Sequence, residues 1–297
     1  MRRTGGARTT GEVVEGTRIR RLEEGDIDAA IALTDLEAWG YTREDFRRLL
    51  ALSPNGCFAA ERDGRVVGVL TTTTYDGLAF LGAVIVAPEL RGKGVGKELM
   101  EATLAHLQAT GVRTVRLNAY LNAIPFYERL GFHREYEVIR WHGAASAKEK
   151  VRPVRPIRAS DLAGLARMDA RYFGANRQAL LARLASEFPR TFLVAERGGR
   201  PIGFIVGSPD GEACEIGPWV VEPAATEVAQ DLFRALVQAA ASSEVALSGP
   251  SPNRGLLDFV RAAGFKEVFR ALRMWWGADA LSGDPAGIWA AGGLEKG

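Results

Sequence analysis

The segment of this chain most suited to chemistry is a glycine-rich turn that carries two cations. It reads Arg91-Gly92-Lys93-Gly94-Val95-Gly96, follows a short apolar run and precedes a helical pattern. Because glycine has no Cβ, successive main-chain N–H groups of such a turn can converge on one anion. The N-terminus of the following helix adds partial positive charge at the same place. The turn is therefore predicted to bind a phosphate group.

Two common phosphate-binding patterns do not match this turn. The nucleoside triphosphatase pattern requires a glycine five residues before Gly96 and a Ser or Thr where Glu98 stands. The dinucleotide-binding pattern requires its third glycine where Lys97 stands. Neither class of enzyme is supported.

A second segment downstream, taken with the turn, gives a family resemblance. It reads Asn122-Ala123-Ile124-Pro125-Phe126-Tyr127-Glu128-Arg129-Leu130-Gly131-Phe132. The two segments together resemble the GNAT superfamily of N-acetyltransferases, in which an Arg/Gln-x-x-Gly-x-Gly/Ala signature after a strand binds acetyl-CoA. The resemblance implies an α/β (α+β) fold with a mixed sheet, and acetyl-CoA as cosubstrate.

The resemblance also implies a role for each matching residue. Main-chain amides of the turn hold the CoA pyrophosphate, and the strand before it offers main-chain groups to the pantetheine and the acetyl carbonyl. The cofactor-binding residues implied in this way are Val84, Ile85, Val86, Arg91, Gly92, Lys93, Gly94, Val95, Gly96 and Asn122. Tyr127 is the implied catalytic acid near the sulfur. Acyl transfer expels a thiolate, and a tyrosine hydroxyl with a pKa near 10 can protonate it.

Two of these residues could instead have a structural role. Asn122 stands where it could cap the following helix, because asparagine is a favoured N-cap. Tyr127 could be a core aromatic with its hydroxyl at the surface. Both alternatives stay open at the level of sequence.

A general base is not evident from the sequence. Many family members place a Glu on the strand before the signature, but residues 79–86 contain no carboxylate. Candidates for the acceptor side lie in the two-helix region and in the loop before Leu81. They are Asp35, Glu37, Tyr41 and Tyr75.

The chain contains an internal repeat. Ala60–Gly68 recurs as Ala195–Gly203, and Phe126–Phe132 resembles Phe259–Phe265. Two tandem copies of one fold are therefore expected. The predicted organisation is a disordered leader at residues 1–17, a catalytic domain at 18–142, a linker at 143–152 and a second domain at 153–297.

The second copy departs from the pattern at the glycine-rich turn. The aligned segment, Thr226–Asp231, has no glycine and two carboxylates, and Val260 stands in the place of Tyr127. The resemblance is therefore to a tandem protein whose C-terminal GNAT domain is degenerate. That domain either shapes the acceptor site or only packs, with Trp275, Trp276 and Trp289 lying across the junction or filling a core.

Periodicity in the first copy predicts the elements that must position the site. A strand at Arg18–Leu22 is followed by two helices, the second capped by Thr42, and then by three strands, of which the last ends at Val86. A helix at Gly94–Ala109, a strand, a short helix and a closing strand follow. The order is that of a mixed α/β domain.

Composition narrows the class of partner. The 297 residues carry 38 Lys plus Arg and 36 Asp plus Glu, and a net charge of +2 gives no reason to expect nucleic acid. No run of about 18 apolar residues occurs, so a cytoplasmic protein without membrane attachment is expected. Two distant cysteines and three histidines do not suggest a metal site.

The sequence therefore predicts an acetyl-CoA-dependent N-acetyltransferase. A small-molecule or peptide amine is expected to attack directly in a ternary complex, because neither cysteine nor serine stands in a recognisable nucleophile setting. A monomer or homodimer is expected. The alternative is a noncatalytic acyl-CoA-binding sensor.

Overall fold

The computed structural model describes residues 16–145, 154–210, 213–278 and 283–297. The predicted leader at 1–17 falls almost wholly outside them. Of the predicted linker, residues 146–152 also lie outside, whereas Gly143 and Ala144 end a strand.

Helices and strands alternate in the order that the sequence predicts. The strands of the first copy are β1 (Thr17–Arg21), β2 (Phe58–Arg62), β3 (Arg65–Tyr75), β4 (Leu78–Val86), β5 (Thr114–Tyr120) and β6 (His133–Ala144). Its helices are α1 (Ile27–Asp35), α2 (Arg43–Leu52), α3 (Val95–Ala109) and α4 (Ile124–Arg129). The Thr42 side chain accepts a hydrogen bond from the Asp45 main-chain N–H, which confirms the predicted cap of α2.

The second copy repeats this order. Its strands are β7 (Val154–Pro156), β8 (Phe192–Arg197), β9 (Arg200–Asp210), β10 (Ala213–Val221), β11 (Glu244–Pro250), β12 (Lys266–Gly277) and β13 (Ile288–Ala290). Its helices are α5 (Leu162–Phe173), α6 (Gln178–Glu187), α7 (Thr226–Ala240) and α8 (Arg254–Ala262). The predicted fold class, two tandem copies of a mixed α/β fold, is confirmed.

Internal contacts divide the chain into two compact units that do not coincide with the two copies. Unit 1 contains the described residues up to Thr71 together with Ala83–Ala109, and unit 2 contains Thr72–Gly82 and the described residues from Thr110. The strands β3 and β4 contribute residues to both units. The domain limits at 18–142 and 153–297 were predicted from the internal repeat, and they remain predictions.

Unit 1 is an antiparallel β1-β2-β3 arrangement with α1, α2 and α3. Alternate apolar side chains of the strands and one face of α1 form its core. Ile27, Phe46, Ala59, Val69 and Ile85 are among the buried members of this cluster. The end of β4 belongs to it, since the Ala87 N–H donates to the Val67 main-chain oxygen at 2.8 Å.

Unit 2 exchanges strands between the two copies. Strand β12 of the second copy pairs with both β5 and β6 of the first, and β6 also pairs with β11 of the second. The order from β4 onward is β4-β5-β12-β6-β11-β10-β9-β8-β7, with β13 added to β10. Neither copy therefore completes its sheet alone.

The tryptophans of the second copy both cross between copies and fill a core. The Trp275 ring on β12 lies 4.7 Å from the His133 ring, whereas Trp289 is buried 5.1 Å from Trp219 between their ring centroids. Trp275 thus lies between the two copies, as one alternative predicts, and Trp289 fills a core, as the other predicts.

Candidate functional site

The glycine-rich turn of unit 1 joins the end of β4 to the start of α3. Gly92 and Gly94 have φ angles of +75° and +92°, a conformation that other residues rarely adopt. Residues 91–94 are exposed, and α3 begins at Val95. The first N–H groups of an α-helix have no acceptor within the helix, so they remain to be satisfied by another group. The turn is thus exposed to solvent at the N-terminus of α3, where the phosphate site is predicted.

Arg91 ties this turn to two other parts of unit 1. Its Nε donates to the Val86 main-chain oxygen at 2.9 Å, and its Nη2 donates to Oε1 of Glu37 at 2.8 Å. The Arg91 and Glu37 side chains are 45% and 37% exposed, so water screens their ion pair. A predicted acceptor-side residue and a predicted phosphate-binding residue are therefore in contact.

The strand residues before the turn are held close to β3. Ile85 and Val86 are buried, whereas Val84 is half-buried. Ala83 has a φ angle of +45°, which interrupts the regular strand immediately before the three residues assigned to the acyl arm. A Cβ on Gly68 of β3 would meet the Ile85 main-chain oxygen at 3.1 Å, so the two strands approach closely there.

Unit 2 carries the second predicted motif. Tyr127 lies on α4, 8% exposed, with its ring centroid 5.1 Å from that of Phe126 and 5.8 Å from that of Phe132. Burial raises the pKa of its hydroxyl above the usual value near 10, so the group keeps its proton at neutral pH. A general acid must hold a proton in this way before it can donate it.

Asn122 does not cap α4. It lies in the 3-10 turn Leu121–Ala123, is exposed, and the N-cap residue of α4 is Ala123 without a side-chain cap. The N-cap alternative is wrong because the 3-10 turn inserts one residue between Asn122 and the helix. The amide of Asn122 is therefore not used as a helix cap.

The predicted acceptor-side residues fall into two groups. Asp35 ends α1 and is exposed, and the Tyr41 ring packs 5.3 Å from Phe46 between centroids in the core of unit 1. Tyr75, in unit 2, is buried and donates its hydroxyl hydrogen to the Lys296 main-chain oxygen at 3.0 Å. Desolvation raises its pKa, so Tyr75 is a donor and not a base at neutral pH.

The second copy has no equivalent of the glycine-rich turn. Thr226–Asp231 forms the first turns of α7, with Glu227 in the first turn, where a negative charge opposes anion binding. Val260, the counterpart of Tyr127, is buried in α8. The degeneracy inferred from sequence is thus present in the structure.

Sequence reasoning missed a cluster in unit 2 around the segment Leu294–Gly297. Asn118, Tyr75 and Arg177 donate to main-chain oxygens of this segment. The sequence offered one sign of this cluster. Two charged residues, Asp169 and Arg177, stand in or beside the largely apolar segments that form α5 and α6. Their burial became visible only when α5 and α6 were packed together.

Comparison with known proteins agrees with the fold. Residues 27–132 match the model of the acetyltransferase (GNAT) family, and residues 165–290 match that of an acetyltransferase (GNAT) domain. The chain belongs to the GNAT superfamily and is an acetyltransferase of the tandem type, with a degenerate C-terminal GNAT domain. Members of this superfamily use acyl-CoA.

Particular relatives share different parts of the chain. A holothin acyltransferase from Pseudoalteromonas sp. is 27% identical over 88% of this chain and 88% of its own length. A mycothiol acetyltransferase from Thermobispora bispora is 37% identical over 41% of this chain and 48% of its own. A crystal structure from Pyrococcus horikoshii superposes with a TM-score of 0.81 at 22% identity and covers 98% of this chain and 99% of that one.

The described residues were also compared with the requirements of a metal site and of a membrane-spanning helix. Within the described ranges, no group of three or more His, Cys, Asp or Glu side chains is placed to hold a metal ion. None of the helices in those ranges is both long and apolar enough to span a membrane.

Proposed function

We propose that this acetyltransferase transfers an acetyl group from acetyl-CoA to a primary amine. The observation that carries the proposal is the exposed turn with left-handed Gly92 and Gly94 directly before a 15-residue helix. This donor set fits a diphosphate, because main-chain N–H groups and a helix N-terminus stabilise anions without a side chain in the way. Acetyl-CoA supplies the acetyl group as an activated thioester.

The residues have distinct roles in this proposal. Main-chain groups of Arg91–Gly96 hold the pyrophosphate, and Lys93 adds charge in solvent. Main-chain groups of Val84–Val86 hold the acyl arm, and Asn122 offers its exposed amide to the pantetheine. Tyr127 keeps a proton on its hydroxyl oxygen for the leaving sulfur, as its buried, protonated state supports.

Direct attack by the amine is favoured over an acyl-cysteine pathway. Cys57 and Cys214 are the cysteines of the chain, and both are buried, at 1% and 0% exposure. Burial raises the pKa of the Cys214 thiol to about 12, which removes the thiolate that nucleophilic catalysis requires. Neither thiol is presented to a substrate.

The acceptor ammonium must lose a proton before it attacks. Tyr75 is poorly suited to take this proton, since its hydroxyl is buried and protonated. Asp35 and Glu37 are exposed carboxylates and can pass a proton to water. We assign the deprotonation to a carboxylate outside the strand before the turn, since residues 79–86 contain none.

Release of free thiol from acetyl-CoA in the presence of a panel of amines tests the proposal. The panel contains polyamines, amino sugars, aminoglycosides and short peptides, and turnover with at least one primary amine is expected. Calorimetry is expected to give one acetyl-CoA per chain, because the second copy lacks the turn. Binding without turnover on any amine would favour the sensor reading, and two equivalent sites would contradict the assignment of the turn.

A further inference from the structure

The segment Leu294–Gly297 lies against strand β4 at Gly82, within unit 2. Strand β4 pairs in parallel with β5 as far as Leu81 and Leu117, and Gly82 is the residue of β4 after the last pair. A Cβ on Gly82 would lie 2.1 Å from the Cβ of Glu295. Because Gly82 has no side chain, the Glu295 side chain starts almost where a side chain of β4 would start.

This position brings a carboxylate to the strand that we propose holds the acyl arm. Val84 follows Gly82 by two residues on the same strand, a distance of at most about 7 Å. Residues 79–86 themselves contain no carboxylate. Glu295 therefore supplies a group that the strand lacks, and the opening where β4 and β5 separate is left to the cosubstrate.

Hydrogen bonds to main-chain oxygens on both sides of Glu295 fix its position. The Asn118 Nδ2 donates to the Leu294 oxygen at 2.8 Å, and the Tyr75 hydroxyl donates to the Lys296 oxygen at 3.0 Å. The two donors lie on β5 and β3, so the residues before and after Glu295 are tied to the sheet. A catalytic base is most efficient when the fold orients it in advance, and this arrangement does so.

Charged and titratable groups surround the Glu295 carboxylate. The Glu295 side chain is 12% exposed, and its Oε1 pairs with the Lys296 Nζ. Burial raises the pKa of the Tyr75 hydroxyl, and the negative charge of Glu295 contributes in the same direction. Desolvation raises the pKa of Glu215 on β10, Arg140 opposes this shift, and Glu295 adds to it. The charged residues behind Tyr75 pair with each other; they are Asp169 and Arg177.

A buried oxygen next to this segment lacks a hydrogen-bond donor. Asn118 Oδ1 is buried and has no hydrogen-bond partner in the described part of the chain. The bond from Nδ2 to the Leu294 oxygen sets the orientation of the amide, so Oδ1 is turned to the other side. A buried acceptor without a donor is costly, and the N–H of an ammonium group supplies such a donor. The observation points to a nitrogen ligand at this place.

We propose that Glu295 is the general base that deprotonates the acceptor amine, and that Asn118 Oδ1 accepts a hydrogen bond from the same nitrogen. The inference rests on the proposed function and adds to it the group that takes the proton. A residue from the second copy thereby completes the chemistry of the first.

The protons of this step balance with the acid already assigned. The ammonium nitrogen loses two protons in becoming an amide. Oε2 of Glu295 takes the first, the neutral amine then forms the C–N bond, and Glu295 later returns this proton to water. The second proton leaves the nitrogen as the C–S bond breaks, and it replaces the one that Tyr127 gives to the thiolate. One proton per turnover is released to water.

Replacement of Glu295 by Gln tests the assignment, because it keeps the size of the side chain and removes the base. With the panel amine of highest turnover, kcat/KM for the amine is expected to fall about 10²-fold at neutral pH, with unchanged CoA affinity. The loss should shrink between about pH 7 and pH 9.5, because more of the amine is then neutral before it binds. Thiol release gives the profile. An absence of loss, or an equal loss at every pH, overturns the proposal.

Other carboxylate variants serve as controls. Glu215→Gln removes a carboxylate whose charge interacts with that of Glu295 but which does not lie against Gly82, so kcat/KM should change by less than about threefold. If Glu295→Gln does not fold, Glu295→Asp supplies the test, with a smaller loss of the same pH dependence expected. A pH-dependent loss in Asp35→Asn/Glu37→Gln but not in Glu295→Gln would give the base to the region after α1 and overturn the proposal.

Tyr75→Phe tests whether the fixed position of Glu295 matters. Loss of the hydrogen bond to the Lys296 oxygen should lower kcat about three- to tenfold and speed up hydrogen exchange of the 294–297 amides. In the Glu295→Gln background the same substitution should lower kcat no further, because the base that it positions is already absent. A full additional loss in the double variant would show that Tyr75 acts independently of Glu295 and would count against the arrangement.

Failure of this inference and failure of the proposed function give different results. If the native chain acetylates no amine, the proposed function fails, and the base fails with it. Amine turnover that Glu295→Gln leaves unchanged refutes the base alone and leaves the acetyltransferase supported.

Discussion

The guanidinium of Arg91 donates to the carboxylate of Glu37 at 2.8 Å, and the pair lies at the turn proposed to bind pyrophosphate. A negative side chain at an anion site competes with the anion for the same cation. The contact links the region after helix α1, expected on the acceptor side, with the turn that we propose binds the cosubstrate.

Replacement of Glu37 by Gln is therefore expected to tighten CoA binding. Removal of one exposed negative charge should improve the dissociation constant about two- to fivefold at low salt, and the gain should shrink as salt screens the turn. Calorimetry with CoA at two ionic strengths measures it. Asp35→Asn, an exposed carboxylate nearby in sequence, is the control, and equal gains in both variants would show a general charge effect.

Variants of Gly92 and Gly64 form a matched pair that tests whether the glycine-rich turn binds CoA. Both have left-handed φ angles, +75° and +73°, and a Cβ at either position meets nothing within 4 Å. Alanine at either site should cost about 1–2 kcal/mol of folding free energy through backbone strain alone. Only Gly92→Ala is expected to weaken CoA binding as well. The two effects are separated by denaturant unfolding and calorimetry, and equal CoA affinity in the two variants would place the pyrophosphate elsewhere.

Tyr127→Phe is expected to lower kcat about 10²-fold with little change in CoA affinity, the usual scale for loss of a general acid. Tyr120→Phe, on β5, is the control. Since burial raises the pKa of Tyr127, the acid stays protonated until the pH exceeds its raised pKa. No loss of kcat from Tyr127 deprotonation should therefore occur between pH 6 and pH 9, and a fall in this range that Tyr127→Phe abolishes would contradict the raised pKa.

The ion pair of Asp169 and Arg177 should contribute strongly to stability. Both side chains are essentially inaccessible, at 0% and 1% exposure, so Asp169→Asn leaves a buried guanidinium without its counterion. The expected loss is about 3–5 kcal/mol of unfolding free energy. Adding Arg177→Gln should recover part of it, because no buried charge then remains. Urea unfolding of the three variants measures the coupling, and additive losses would mean that the pair is not a unit.

A fragment that ends near Gly143 is expected not to fold. In the intact chain β6 pairs with β11 and β12, both of which are absent from the fragment, and β5 also loses β12. The unpaired strand edges and apolar faces should give an aggregated or unfolded product. Circular dichroism and size-exclusion chromatography decide the point. A soluble monomer with cooperative unfolding would show that the first copy is autonomous.

The order of elements and the position of the glycine-rich turn followed from the sequence, because their causes are local. Apolar spacing determined the strands and helices, and Thr42 could be recognised as a cap because capping involves residues only three apart. The alternate glycines of 92–96 gave the turn, since the need for positive φ is a property of each residue. The alternative role of Asn122 as a helix cap could be excluded only from the structure, because an inserted 3-10 turn leaves no clear trace in residue types.

Only the tertiary structure decided which strands complete each sheet and what lies against Gly82 of β4. Strand β12 has the same apolar pattern whether it pairs with its own copy or with β5, so its exchange is invisible in the sequence. The burial of Arg177, Asp169 and Tyr75 around Leu294–Gly297 joins residues more than a hundred positions apart. Main-chain oxygens take part in these contacts, and because every residue carries one, no pattern of side chains could have marked them.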